Sequence, residues 1–78
     1  MERRVRVIVE LRVLRYFEDN RVLEFQIDWL DRGRRVVYIP NPRRWEVDMP
    51  TWARGRRDEI LATIKRLTKQ HEFIWEEF

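Results

Sequence analysis

Over residues 5–13 apolar and polar positions alternate. Val5, Val7, Val9, Leu11 and Val13 share one parity, and Arg4, Arg6, Ile8, Glu10 and Arg12 the other. A period of two is the pattern of a strand that buries one face. It predicts one long first strand, closed by a turn at Glu18, Asp19 and Asn20. Leu23, Phe25, Ile27 and Trp29 then alternate with Glu24, Gln26 and Asp28. This is a second strand, with Trp29 expected on its core face. Asp31, Arg32, Gly33 and Arg34 make a short turn in which Gly33 supplies a positive φ. A third strand follows at residues 35–39, apolar on both faces and therefore the more central.

Pro40-Asn41-Pro42 ends the sheet, because neither proline donates to a ladder. Trp45 and Val47 allow a short fourth strand. The period then changes. Ile60, Leu61, Ile64 and Leu67 fall at the three-and-four spacing of one helix face, and Trp52 and Arg56 extend the stripe backwards. The acids Asp58 and Glu59 precede the bases Lys65, Arg66 and Lys69, an order that complements the helix dipole. The spacing predicts a helix over residues 51–70, with Thr51 preferred to Gly55 as its N-cap. Phe73 and Trp75 alternate with Glu72, Ile74 and Glu76 as a last strand returning to the sheet, and Trp75 is expected in the core. The expected fold is therefore one α+β domain over residues 1–78. It has an antiparallel meander of three to four strands, one amphipathic helix packed on one face, and a closing C-terminal strand.

The segment 22–39, then Trp45, the Arg-Arg-Asp-Glu-Ile-Leu helix at residues 55–64 and the closing strand at 73–78 resemble small uncharacterised bacterial α+β proteins. Some of these resemble immunity proteins of polymorphic toxin systems. The resemblance covers about two-thirds of the chain, leaves out the first strand and carries no catalytic residues.

Composition narrows the chemistry. The chain has 78 residues, no Cys and only Gly33 and Gly55 as glycines. It therefore has no disulfide framework, thiolate metal site or glycine-rich phosphate loop. Serine is absent, and the threonines sit at the expected cap (Thr51) or within the helix (Thr63, Thr68), which argues against nucleophilic catalysis. The single histidine, His71, lies where a helix C-terminus would use its charge. The carboxylate pairs Glu46 and Asp48, Asp28 and Asp31, and Glu76 and Glu77 match no metal loop spacing and read as solvated surface. No enzyme, cofactor, metal or small-molecule substrate is expected. With no apolar run of membrane length and no signal-peptide core, a cytoplasmic location is expected.

The net charge of +3 is unevenly spread. Residues 1–31 carry −1, residues 32–57 carry +6 and residues 58–78 carry −2. The basic third holds Arg32, Arg34, Arg35, Arg43, Arg44, Arg54, Arg56 and Arg57, with Trp45 and Trp52 among them. Clustered cations with interleaved aromatics suit a nucleic-acid backbone and its bases. These ten residues are the candidate site for that reading, although no helix-turn-helix or RNP-type signature accompanies them. The principal expectation is a non-catalytic protein-interaction module, with a protein partner or, by self-association, a second copy as ligand. An exposed edge strand is the natural contact.

Overall fold

A computed structural model describes residues 4–78 of the chain. Within them five strands form one sheet whose spatial order is the chain order. They are β1 (Val5–Val9), β2 (Val13–Glu18), β3 (Arg21–Trp29), β4 (Arg35–Ile39) and β5 (Ile74–Glu77). The first four are antiparallel neighbours, and β5 returns parallel to β4. A parallel return needs a crossover. Two helices within it, α1 (Pro42–Asp48) and α2 (Arg57–Leu67), make that connection. The fold is α+β as the pattern implies. It differs in having five strands, a mixed sheet and two helices among the described residues. Residues 1–3 of the expected domain lie outside that range.

The long first strand is in fact a hairpin. Val9 pairs with Leu14, and the Glu10 N–H donates to the Val13 carbonyl at 2.9 Å. Leu11 and Arg12 form the turn. A two-residue turn puts Glu10 and Val13 on the same face, so parity reverses across it. Val5, Val7 and Val9 continue on the core side into Leu14 and Tyr16, while Val13, Arg15 and Phe17 face the other way. The odd-numbered valines thus lie on both faces. The next turn keeps its expected place, with Asp19 at φ 54°, but Glu18 belongs to β2.

The short fourth strand expected at Trp45 and Val47 is helix α1. Asn41 caps it by accepting from the Arg44 N–H at 2.9 Å, and Pro42 occupies the first turn, where its missing N–H costs nothing. The long helix begins later than expected. Thr51–Ala53 is a single 3₁₀ turn, Gly55 takes φ 73°, and α2 starts at Arg57 with Arg56 as its N-cap residue. Thr51 is not its cap. Gly55 permits the sharp change of direction, and its N–H is held by both Glu46 carboxylate oxygens at 3.0 and 2.8 Å.

One face of the sheet carries the core. Leu14, Tyr16, Leu23, Phe25, Ile27, Val37 and Ile39 meet Trp45, Ala53, Ile60, Leu61 and Ile64 from the crossover. Burying each of the Leu, Ile, Val and Phe side chains among them stabilises by roughly 1.5–3 kcal/mol. Trp75 packs against this cluster, as expected. Trp29 does not. At the strand end it is 47% exposed, beneath the Arg35 guanidinium, with its indole N–H 3.3 Å from the Leu11 carbonyl.

Candidate interaction surfaces

The basic third is divided between the two ends of β4. Arg32, Arg34 and Arg35 sit at one end of β4, and Arg43 and Arg44 lie on α1 beyond its other end. Arg54, Arg56 and Arg57 follow at the start of α2. Most of these arginines already have partners. Arg35 is half-buried, donates to His71 Nδ1 at 3.0 Å and lies over the rings of Trp29 and Phe73. Arg44 pairs with Asp48 at 3.5 Å and covers Phe78. Arg54 donates to the Met49 carbonyl. Arg57 ties α2 to the sheet, through the Pro40 carbonyl at 3.0 Å and Glu77 at 2.7 Å. Arg32, Arg34 and Arg43 are exposed and make no ion pair among the described residues.

Trp45 leaves the candidate site altogether. It is fully buried, stacks on Phe25 and donates its indole N–H to the Ala53 carbonyl at 2.9 Å. A base cannot reach it. Trp52 is half-buried against the core, with the Arg21 guanidinium over its ring.

Arg56 is a structural residue. It donates to both carboxylate oxygens of Glu18, at 2.9 and 2.7 Å, and to Glu59 at 2.6 and 3.3 Å. Glu18 is only 2% exposed and also accepts from the Tyr16 hydroxyl at 2.9 Å. A buried charge needs this degree of pairing. Burial, then the Glu18 hydrogen bond, push the Tyr16 hydroxyl up to about 12, and the two carboxylates raise Arg56 further above its already high value. The sequence hid this cluster because Glu18, beside Asp19 and Asn20, reads as part of a polar turn.

Carboxylates of the candidate pairs also hold the fold together, Asp28 with Arg12 and Glu77 with Arg57. Glu46 and Asp48 lie on a helix rather than sharing a strand face, and each serves a neighbouring residue. No cluster of three or more metal-ligating side chains occurs among the described residues. No helix there is long and apolar enough to cross a membrane. His71 stands in a 3₁₀ turn directly after α2, its N–H donating to the carbonyl of the C-cap residue Thr68 at 3.0 Å, while its ring stacks on Phe73 and meets Arg35.

Two sheet surfaces remain. The face opposite the helices is uncovered. It holds Ile8, Phe17 and Val22 among charged neighbours, with Arg6 over Phe17 and Arg15 between Glu10 and Glu24. The second surface is the outer edge of β1. Asp19 N–H donates to the Arg4 carbonyl and Glu10 N–H to the Val13 carbonyl. Even-numbered residues therefore direct their main-chain groups toward β2. The N–H and C=O groups of Val5, Val7 and Val9 point outward, where no strand among the described residues pairs with them. The other edge, β5, is only four residues long and ends in Glu76 and Glu77, a short and charged edge of the kind that discourages pairing.

No family model matches the chain, and comparison with curated proteins and with solved structures finds no match either.

Proposed function

We propose that this chain is a non-catalytic protein-interaction domain that pairs with a second copy of itself along β1. The observation that carries this reading is the self-complementary register available at that edge. In a two-fold antiparallel pairing centred on Val7, Val5 lies opposite Val9 of the second copy, and Val7 lies opposite its own counterpart. All three outward-facing residues then exchange main-chain hydrogen bonds. On the core side the valines, half-buried in one copy, form a continuous apolar row. On the open side Arg4 lies opposite Glu10, twice by symmetry. Glu10 already touches Arg15 within its own chain, and a carboxylate has lone pairs for both.

Neighbouring registers are poorer. Centring on Arg6 sets two arginines against each other, and like charges directly opposite are unfavourable. Centring on Ile8 places Arg4 against Arg12 and sends Val5 to the turn residue Leu11. A domain this small buries a modest share of its surface alone, so association along an edge adds core where it is scarce.

Sedimentation equilibrium from micromolar to several hundred micromolar tests the reading, with Val7→Pro as the control. Proline removes an outward N–H that β2 does not use. The expected result is a monomer–dimer equilibrium weakened at least ten-fold by the substitution, with the variant monomer still folded. A monomer at every concentration would remove the self-pairing.

A second reading, nucleic-acid binding through the arginine-rich residues 32–57, is supported by the exposure of Arg32, Arg34 and Arg43. Its test is oligonucleotide anisotropy at two salt concentrations, since phosphate contacts weaken steeply with salt.

A further inference from the structure

The β3–β4 ladder is short. It joins residues 27–29 to residues 35–37 and ends at Ile27 and Val37. Beside this end lies a cleft of about 520 Å³, lined from β3, β4, α1 and the C-terminus, a volume typical of small-ligand sites. Tyr38, Pro40, Met49 and Phe78 give it apolar walls. Three carboxylates, Glu24, Asp28 and Asp48, also line it, and no Lys or Arg does, in a chain whose net charge is +3. Each carboxylate has an arginine partner at the rim of the cleft, at 2.8 Å for Arg15 and 3.5 Å for Arg12 and Arg44, and Arg44 also lies over the Phe78 ring. Exposed pairs of this kind contribute little and leave lone pairs for another donor.

The cleft also contains strand edge. The Ile27 N–H donates to the Arg12 carbonyl, so odd-numbered residues of β3 direct their main-chain groups to β2. Those of Val22 and Glu24 point the opposite way, where no strand among the described residues pairs with them. Open backbone, apolar walls and an acidic lining are the components of strand addition with a selective pocket.

We infer that this cleft binds an extended peptide segment of a partner protein in which Lys or Arg is flanked by apolar residues. The segment lies along the Val22 and Glu24 edge of β3. Its cation meets Glu24 and Asp48, and an apolar neighbour packs on Met49 and Phe78. The site is separate from the β1 edge and does not depend on the pairing proposed there.

The test is to pan a random seven-residue peptide library, displayed on phage, against the full chain. The best binders are then synthesised and titrated into isotopically labelled protein. The expected result is enrichment of Lys or Arg beside aliphatic or aromatic residues, with amide shifts centred on residues 22–26. Affinity should fall at least ten-fold for the Glu24→Gln/Asp48→Asn variant, whose well-dispersed spectrum would show it folded. No enrichment, enrichment of acidic peptides, equal affinity for the variant, or shifts centred on β1 would each overturn the inference.

Discussion

Arg56 grips Glu18 with both terminal guanidinium nitrogens, at 2.9 and 2.7 Å, across 38 positions of sequence. The contact ties the end of β2 to the N-cap residue of α2, so it fixes the crossover on the sheet that carries both proposed surfaces. Breaking a buried pair costs about 3–5 kcal/mol. Without Arg56 the Glu18 carboxylate keeps the Tyr16 hydroxyl and Arg21, at 4.0 Å, but loses its two short charged bonds, so Arg56→Ala should lower the unfolding free energy by up to about that amount in urea titrations. Arg34→Ala, on an exposed turn, should stay within about 0.5 kcal/mol of the parent.

Tyr16 makes the same cluster sensitive to alkali. Its hydroxyl, ordinarily near 10.0, is pushed up to about 12 by burial and then by the Glu18 hydrogen bond. A raised folded-state pKa favours folding fully below the unfolded value, and the benefit is lost as pH rises through the folded one. Stability should fall between about pH 10 and 12 more steeply in the parent than in Tyr16→Phe. Denaturant midpoints of the two proteins measured across that window provide the check.

Helix α1 rests on a cap and an anchor. Asn41→Ala removes the side-chain acceptor for the Arg44 N–H and should cost about 0.5–2 kcal/mol. Trp45→Ala empties a fully buried site and removes the indole donor to the Ala53 carbonyl, which keeps the Arg56 N–H at 3.1 Å, so a loss of about 3–5 kcal/mol is expected, mainly from the cavity. Both are read from thermal or urea unfolding. Because Trp45 is inside the core, Trp45→Phe should leave any oligonucleotide affinity unchanged.

Arg57 and Arg32 should separate structural from surface charge. Arg57 bonds the Pro40 carbonyl and Glu77, so Arg57→Ala should lower the melting temperature. Arg32 is exposed at a turn with φ 65°, a backbone conformation that favours glycine. Arg32→Gly should raise stability slightly, while lowering any salt-dependent oligonucleotide binding.

Much of this fold was legible where local pattern and tertiary burial agree. The alternation of Leu23, Phe25 and Ile27 and the stripe of Ile60, Leu61 and Ile64 both became core. The first hairpin was hidden because Leu11 and Arg12 lack turn chemistry and the alternation runs on through them. Helix α1 was hidden by its length of seven residues, too short to show a period, although Asn41-Pro42 was a start signal in plain sight. The direction of β5 could not be read, since a strand's pattern is the same for parallel and antiparallel partners. The candidate arginines were visible as a charge run, but which of them were spoken for depended on residues such as Glu18 and Glu77, distant in sequence. The acidic cleft beside the end of the β3–β4 ladder left no local signal, because it arises from the place where a ladder stops.

The most direct test of the β1 pairing reads its register. Across a non-hydrogen-bonded antiparallel pair, Cα atoms are about 4.5 Å apart, within disulfide range. The register centred on Val7 makes Arg6 and Ile8 such a pair between copies, and the chain has no cysteine of its own to interfere. Chains carrying Arg6→Cys and Ile8→Cys, distinguishable by mass, would be oxidised separately and mixed. The account predicts an efficient disulfide-linked heterodimer in the mixture and little cross-linking of either variant alone. Equal cross-linking in all three samples, cross-linking of one variant with itself alone, or none in any sample would contradict it.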